Sequence, residues 1–201
     1  MGRHFSHPKV FIRSLATRGS LGGLSSKTME ITDVLRSEGF DLILIETVGV
    51  GQSEMEIATL ADVTALVLVP ESGDDIQAVK AGLIEVADII VINKSDRPGA
   101  SLMESFVLEA ARLDPAHQRP IQVIQTIATE ARGTVELLKA VLSCHTQITP
   151  AQKENLLFEK AIRLIRDYKM NQIDREALRR ALKEKAGKEF NLYSFTRAFA
   201  R

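Results

Sequence analysis

The chain has 201 residues, enough for one compact domain and an appended segment. Its 26 basic and 26 acidic residues cancel at neutral pH, which argues against nucleic acid as the main partner. A single cysteine, Cys144, excludes an intramolecular disulfide framework, and no apolar stretch reaches the ~18 residues of a membrane span; we therefore expect a cytoplasmic protein with no membrane partner.

Strand and helix patterns alternate up to about residue 146. In chain order they predict strand 10–14, helix 25–37, strand 41–46, helix 54–60, strand 63–69, helix 75–87, strand 88–92, helix 101–112, strand 121–125 and helix 130–143. The apolar runs 41–46 and 88–92 are typical of strands buried on both faces. The alternation predicts an α/β fold whose parallel sheet is covered by helices on both faces. Ser25 or Ser26 is the expected N-cap of the first helix.

The sequence changes character after Thr149-Pro150, where strand patterns give way to helical ones. Apolar residues recur at helical spacing, at Leu156, Leu157, Ala161, Leu164, Ile165 and Tyr168, and then at Leu178, Leu182 and Ala186. Such a stripe on an appended segment indicates packing against the parent domain or a partner subunit. We therefore expect an α/β domain over 1–147 and a helical segment over 148–201.

An acidic residue and a glycine-rich turn follow the apolar run 41–45. The segment reads Glu46-Thr47-Val48-Gly49-Val50-Gly51-Gln52-Ser53-Glu54. At the carboxyl end of a strand in a nucleotide-hydrolysing fold, such an acid can hold Mg²⁺ directly or through water. The glycine lets backbone N–H groups approach a terminal phosphate.

A second motif, Asn93-Lys94-Ser95-Asp96, follows the run 88–92 and reads N-K-x-D, the guanine-specificity signature of GTPases. The Asp96 carboxylate can accept hydrogen bonds from N1–H and the 2-amino group of guanine, whereas adenine has no 2-amino group and carries an acceptor at N1. Such charge-assisted bonds contribute about 1.5–3 kcal/mol each. Lys94 would lie along the base, and Asn93 would tie neighbouring loops together. The alternative is a polar turn that closes a strand.

The phosphate-binding motif G-x-x-x-x-G-K-[ST] does not occur in the sequence. The nearest segment, 21–28, ends in Lys27-Thr28, but Leu21 and Ser26 occupy the two glycine positions. A side chain at the second of these would obstruct the close approach of the backbone to phosphates. We do not expect this loop to bind them.

Five segments resemble the GTPases that accompany methylmalonyl-CoA mutase (MeaB/ArgK type), many of them formerly described as lysine/arginine/ornithine transport ATPases. The segments are 11–19, 21–25, 46–54, 70–82 and 191–194. The resemblance spans nearly the whole chain and is most specific in E-T-V-G-V-G-Q-S-E. It places the chain as the C-terminal part of such a protein, a truncated form with the phosphate-binding loop upstream of Met1. On this reading the GTPase domain is N-terminally incomplete and the chain alone is inactive.

The resemblance implies roles for individual residues. Glu46 would be the acid of the Mg²⁺ site, and Gly49 would sense the terminal phosphate through its N–H. Gln52 is chemically suited to orient the attacking water, although polar residues are common in loops. Gln77 and Lys80 would lie on a switch loop that signals nucleotide state to the mutase; a solvated first helical turn explains them equally well.

The base would be read by further positions. Asn93, Lys94 and Asp96 would bind guanine. Ile127 and Ala128, which follow Thr126, stand where the family has Ser-Ala or Val-Ala, with backbone N–H groups facing the base oxygen. The isoleucine departs from that pattern, which is tolerable if only the backbone donates.

The family reading is a G-protein chaperone that uses GTP/GDP and Mg²⁺. It gates cofactor loading into an adenosylcobalamin-dependent methylmalonyl-CoA mutase and protects that enzyme, and its C-terminal helices form a homodimer. One rival is a nickel-insertion GTPase, but His4, His7 and Cys144-His145 form no clear metal site. The other is a non-catalytic adaptor that keeps the partner and dimer surfaces, which the missing phosphate loop favours.

Overall fold

The structure, a computed structural model, describes residues 4, 6–16, 27–47, 58–70, 83–113, 121–185 and 190–199. The chain divides into two compact units, Met1–Pro150 and Ala151–Arg201. The first unit contains strands β1 (Ala65–Leu68), β2 (Ile89–Ile92) and β3 (Gln122–Gln125), helices α1 (Thr28–Ser37), α2 (Ala100–Leu113) and α3 (Thr134–Thr146), and short 3-10 helices at Leu83–Val86 and Ala128–Glu130.

The three strands form a parallel sheet in the order β1-β2-β3. In its register Leu66 pairs with Ile90, and Ile90 pairs with Val123. All four residues of the central strand β2 are buried, as expected for a parallel strand with helices on both sides. The prediction of an α/β fold with a parallel, P-loop NTPase-like sheet is therefore confirmed.

Alternate side chains of β2 enter two separate apolar clusters. On one face Ile90 packs with Val107 and Ala111 of α2. On the other face Ile89 and Val91 pack with Ala140 of α3. Full burial of such side chains stabilises the fold by about 1.5–3 kcal/mol each. The two clusters hold helices against both faces of the sheet and fix the edge where its strands end.

Helix α1 begins later than the sequence predicts. Its N-cap is Lys27, so the expectation of a serine cap at Ser25 or Ser26, which lie outside the described residues, is wrong. The Lys27 side chain makes no capping hydrogen bond, and its Nζ instead contacts the Glu30 carboxylate at 2.6 Å within the first turn. The helix is held by an ion pair and by Met29, which packs with Leu60 and Ile45.

Two predicted strands, 10–14 and 41–46, have no strand structure. A strand requires a neighbouring strand for its backbone hydrogen bonds, and an apolar run alone does not supply one. Phe11 is 56% exposed and Leu44 is 82% exposed, so these runs lack the burial of a central strand, although Ile45 packs with Met29 and Leu60. The described sheet accordingly has three strands where the sequence predicts five.

The remaining boundaries differ by a few residues or fall on undescribed segments. Helix 101–112 extends over Ala100–Leu113, whereas helix 130–143 begins only at Thr134 because a 3-10 turn and two left-handed residues, Ala131 and Gly133, precede it. Predicted helix 54–60 is described only from Ala58 onward, and predicted helix 75–87 only from Leu83 onward, where a 3-10 helix stands.

The second unit contains helices α4 (Pro150–Asn171), α5 (Arg175–Lys185) and α6 (Leu192–Phe199). The first residue of α4, Pro150, is the last residue of the first unit. Proline at the first helical position suits α4, since its missing N–H has no partner there in any case. Asp174 Oδ1 accepts the N–H groups of Glu176 and Ala177 at 2.9 and 3.0 Å and so caps α5. Among the helices described here, none is both long and apolar enough to cross a membrane.

Candidate functional site

Polar loops begin where β2 and β3 end, at the same edge of the sheet. The ladder continues one residue past each strand, because Asn93 N donates to Leu68 O at 2.8 Å and Thr126 N donates to Ile92 O at 2.9 Å. The first polar side chains therefore start from backbone that is fixed by the sheet. Ligands of open parallel sheets bind at such carboxyl edges.

The Asn93 side chain joins the two loops. Its Oδ1 accepts the Thr126 hydroxyl and the backbone N–H of Ala128, both at 3.2 Å. A backbone bond from Ser95 N to Thr126 O at 3.1 Å lies alongside. Thr126 is only 4% exposed, so its hydroxyl is held where solvent competes little for the bond. The structure thus brings the N-K-x-D loop and the 126–128 loop together.

Lys94 has a backbone conformation that is unusual for a residue with a side chain. Its φ is +55°, in the left-handed region, which costs about 1–3 kcal/mol for a non-glycine residue. Two backbone hydrogen bonds hold the turn: Ser95 N donates to Thr126 O, and Arg97 N donates to Lys94 O at 2.9 Å. Such strain is commonest at functional sites, and here it turns an exposed lysine out at the sheet edge.

Asp96 presents its carboxylate to solvent beside this turn. The side chain is 47% exposed, and its Oδ2 lies 3.8 Å from Nε of Arg97. An exposed pair of this kind contributes only about 0–1 kcal/mol. A ligand with two N–H donors can therefore compete for the carboxylate.

The two backbone donors expected at Ile127 and Ala128 differ in direction. Ile127 is 3% exposed, and its N–H donates to the carbonyl of Arg132 at 3.0 Å. Ala128 is exposed, and its N–H lies on Asn93 Oδ1. Because the isoleucine side chain is buried, it does not occupy the site. Of these two amides, only that of Ala128 faces the N-K-x-D loop.

The phosphate and switch residues are only partly described. Glu46 is exposed, in the segment 42–47 that has no regular secondary structure. Gly49, Gln52, Gln77 and Lys80 lie outside the described residues.

Among the described residues, Glu46 is the predicted magnesium ligand. Within the described ranges, no three His, Cys, Asp or Glu side chains are grouped to hold a metal ion. Mg²⁺ is usually bound through one or two carboxylates together with phosphates and water. A single exposed carboxylate such as Glu46 fits that manner of binding.

Sequence reasoning missed the part played by Arg132 and Gly133. Arg132 takes part through its backbone, whose N–H donates to Ile127 O at 3.2 Å, so its identity gives no signal. Gly133 has a φ of +78° and packs against the end of β3. The one available signal was a glycine inside the pattern that predicts helix 130–143.

An N-K-x-D motif on the carboxyl edge of a parallel α/β sheet, tied to the neighbouring loop, is the arrangement typical of guanine-nucleotide-binding α/β proteins. Residues 1–186 match the family described as "Methylmalonyl Co-A mutase-associated GTPase MeaB". The chain belongs to this family, which confirms the resemblance seen in its motifs.

Individual relatives carry names of the same kind. A protein of Pyrococcus horikoshii named as a GTPase is 46% identical over 146 residues, 70% of this chain and 46% of that protein. GTPase ArgK of Escherichia coli is 37% identical over 146 residues, 70% of this chain and 44% of that protein. The mitochondrial methylmalonic aciduria type A homolog of Mus musculus is 40% identical over 134 residues, 64% of this chain and 32% of that protein. The chain spans less than half the length of these relatives.

Proposed function

We propose that this protein binds guanine nucleotides at the edge formed by Asn93, Asp96 and Ala128 and works as a GTPase that assists an adenosylcobalamin-dependent methylmalonyl-CoA mutase. The observation that carries the proposal is the pair of bonds on Asn93 Oδ1, from Thr126 and Ala128. They join the guanine-specificity motif to the next strand's loop in the manner that a base site requires. The family's description and its GTPase-named members support the same activity.

The base-reading step follows from donor and acceptor chemistry. The exposed Asp96 carboxylate accepts from N1–H and the 2-amino group of guanine, while the Ala128 N–H, now on Asn93 Oδ1, is placed to be shared with the base oxygen. The Lys94 stem, turned outward by its left-handed backbone, covers the base. Adenine offers the Asp96 carboxylate an acceptor at N1 and no 2-amino donor, so the site rejects it.

The phosphate end of the site involves Glu46, Gly49 and Gln52. Glu46 would hold Mg²⁺, which neutralises phosphate charge when bound. Gly49 offers an N–H to the terminal phosphate, and Gln52 orients the attacking water. We do not propose Lys27 as a phosphate ligand, because its Nζ contacts the Glu30 carboxylate at 2.6 Å and residues 21–28 do not match G-x-x-x-x-G-K-[ST].

The mutase role rests on the family's description and on the name of the mouse relative. GTP would hold the segments 46–56 and 70–82 in one arrangement and its hydrolysis would release them, with Gln77 and Lys80 on the surface that meets the mutase. Nucleotide state would thereby control cofactor loading and protection in the cytoplasm.

The C-terminal helices supply a homodimer contact in this proposal. Helix α4 has no buried residue, and Leu157 and Tyr168 are both 65% exposed. Large apolar side chains lie exposed along its length, at Leu157, Phe158, Ile162, Leu164, Ile165 and Tyr168. Exposed apolar stripes of this kind mark interaction surfaces, and a symmetric copy is the commonest occupant.

A second function, a non-catalytic adaptor that binds the mutase without turnover, is favoured by one observation. The 201 residues contain no phosphate-binding motif, and most nucleotide affinity in such folds comes from the phosphates. On this reading the chain binds GTP weakly and does not hydrolyse it.

The two functions are separated by adding the chain to an adenosylcobalamin-dependent mutase and following mutase inactivation and phosphate release together. A GTPase chaperone slows inactivation with GTP but not with GDP, and releases phosphate in the presence of Mg²⁺. An adaptor binds the mutase equally with either nucleotide and releases none. A chain that neither binds the mutase nor prefers guanine over adenine would refute both.

The matched variant for this experiment is Asp96→Ala. It removes the base-reading carboxylate and leaves the stripe on α4 unchanged. Under the GTPase proposal the variant loses the difference between GTP and GDP but still associates with the mutase and with itself.

A further inference from the structure

A glycine outside the nucleotide motifs lies directly behind the base-reading loop. Gly133 has a φ of +78° and is the N-cap of α3. A Cβ at this position would lie 2.2 Å from the backbone oxygen of Gln125 and 3.1 Å from Cγ2 of Thr126. The first of these distances is 1.2 Å short of the 3.4 Å at which ordinary contact begins (3.4 minus 2.2). Because the obstructing atom is backbone of β3, no flexible side chain can move aside.

The loop between β3 and Gly133 is closed on itself. Ile127 and Arg132 exchange two backbone hydrogen bonds, of 3.0 and 3.2 Å, and the Ile127 side chain is 3% exposed. Ala131 is left-handed as well, with a φ of +56°, which folds the chain back to Gly133. The loop is therefore fixed at its two ends, by the Ile127–Arg132 bridge and by the contact of Gly133 with the end of β3.

The residue inside this closed loop is the one that donates to Asn93. Ala128 N lies 3.2 Å from Asn93 Oδ1, and Thr126, whose methyl group contacts the Gly133 position, donates to the same oxygen. A shift of Gly133 away from Gln125 would move both donors relative to the N-K-x-D loop. The positions of the Thr126 and Ala128 donors thus depend on the absence of a Cβ at Gly133.

We infer that Gly133 is a positioning residue for the base site: its lack of a side chain sets the distance of α3 from β3 and so holds Thr126 and Ala128 on Asn93. The consequence for nucleotide choice rests on the proposed guanine-binding function. The position of the loop itself does not, and can be measured without nucleotide.

The test compares Gly133→Ala with Gly39→Ala in the full chain. Gly39 has a φ of +77°, almost equal to that of Gly133, but a Cβ there would meet nothing within 4 Å. Both variants therefore place alanine at a similar positive φ, and only Gly133→Ala adds the clash. Hydrogen exchange at the Ala128 amide and the side-chain NMR signal of Asn93 report loop position, and titrations with GDP and ADP report base preference.

For Gly133→Ala we expect Ala128 exchange to rise about tenfold, the factor that corresponds to loss of one hydrogen bond, here the one to Asn93 Oδ1, with a shifted Asn93 signal and a reduced preference for GDP. Gly39→Ala should leave all three as in the unsubstituted chain. Equal Ala128 exchange in the two variants would overturn the inference. Faster exchange in Gly133→Ala, with no guanine preference in any chain, would support the inference and refute the proposed function.

A measurement on the unsubstituted chain keeps the inference testable should Gly133→Ala not fold. The amides of Ile127 and Arg132 are expected to exchange as slowly as that of Thr126, which belongs to the sheet ladder. Exchange of Ile127 and Arg132 at the rate of exposed loop amides would show that the loop is not fixed, and the inference would be wrong.

Discussion

Replacing Asp96 by alanine should remove the preference for guanine and leave the fold almost unchanged. The side chain is 47% exposed and its ion pair with Arg97 spans 3.8 Å. Exposed pairs contribute about 0–1 kcal/mol, so the free energy of unfolding should fall by less than that. A loss of guanine preference that exceeds this loss of stability would therefore come from the missing carboxylate and not from a damaged fold.

The magnitude follows from the two hydrogen bonds that the carboxylate can accept. At about 1.5–3 kcal/mol each, they discriminate guanine from adenine by about 3–6 kcal/mol. This corresponds to about 10²–10⁴ in the ratio of dissociation constants, at 1.4 kcal/mol for each factor of ten. Since the Asp96 carboxylate is exposed, we expect the lower end, about a hundredfold.

The assay is a parallel titration of GDP and ADP, with Asp62→Ala as the matched control. Asp62 is 43% exposed and pairs with Arg36 at 3.2 Å, so the control removes a similar exposed carboxylate far from the motif in sequence. Asp96→Ala should bring the two dissociation constants together, and Asp62→Ala should keep them apart. Guanine preference that survives Asp96→Ala would refute the assignment.

A complementary variant, Asp96→Asn, should change the preferred base. Its amide can donate to the oxygen at position 2 of xanthine while its carbonyl accepts from N1–H. Gain of xanthine nucleotide binding with loss of GDP binding is the expected result. No gain for xanthine would indicate that residue 96 does not face the edge of the base.

Three further predictions concern stability and assembly. Ile90→Ala should lower the free energy of unfolding in urea by about 2–5 kcal/mol, because the Ile90 side chain is fully buried. Leu44→Ala should change it by less than about 0.5 kcal/mol, because Leu44 is 82% exposed, and similar losses in the two variants would contradict the described packing. Replacing Leu157 and Ile165 together by glutamate should convert a dimer to a monomer in light scattering, and a monomeric unsubstituted chain would exclude the dimer. The hydrogen bond from the Ala177 N–H is the largest cause that lowers the pKa of Asp174, and the Glu176 N–H lowers it further. The Asp174 carboxylate therefore stabilises α5 fully above the ordinary aspartate pKa, and this stabilisation is lost as pH falls through the lowered pKa. Asp174→Asn should abolish this loss of helix at acid pH in circular dichroism, and an unchanged acid dependence would contradict the capping role.

The centre of the fold was predictable because burial there is continuous along the chain. The run Ile89–Ile92 has no polar residue, and a strand that is buried on both faces reads in that way. A parallel sheet then places the residues after β2 and β3 at one edge, which is why Asn93 and Thr126 could be expected to meet. Local pattern and tertiary structure agree at these positions.

The runs 10–14 and 41–46 show where that reasoning stops. Their composition is that of buried strands, but strand structure depends on a partner that the pattern does not specify. With Leu42 48% and Leu44 82% exposed, the second run has no strand pairing in the described part of the chain, and its cover is partial, from the contact of Ile45 with Met29 and Leu60. The hydrophobic pattern indicated that these segments favour strand structure, but it could not indicate which strands, if any, would pair with them.

The details of the base site were beyond sequence reasoning for a different reason. The direction of the Ile127 amide is decided by the backbone of Arg132, and the contact of Gly133 is with a carbonyl of β3. Contacts made by the backbone do not depend on which side chain a residue carries, so the sequence gives no sign of them except at Gly133. The motif therefore indicated candidate residues for reading a base, but not the loop that holds them.

The most direct test of a guanine site at this edge is an NMR titration of the chain with GDP and, separately, with ADP. Affinity should be weak, near the millimolar range, because the sequence lacks the motif that binds phosphates most strongly. GDP should shift the amide signals of Asn93, Asp96 and Ala128 together, and ADP at the same concentration should leave them in place. Equal shifts with both nucleotides, or none with GDP at these residues, would contradict the account.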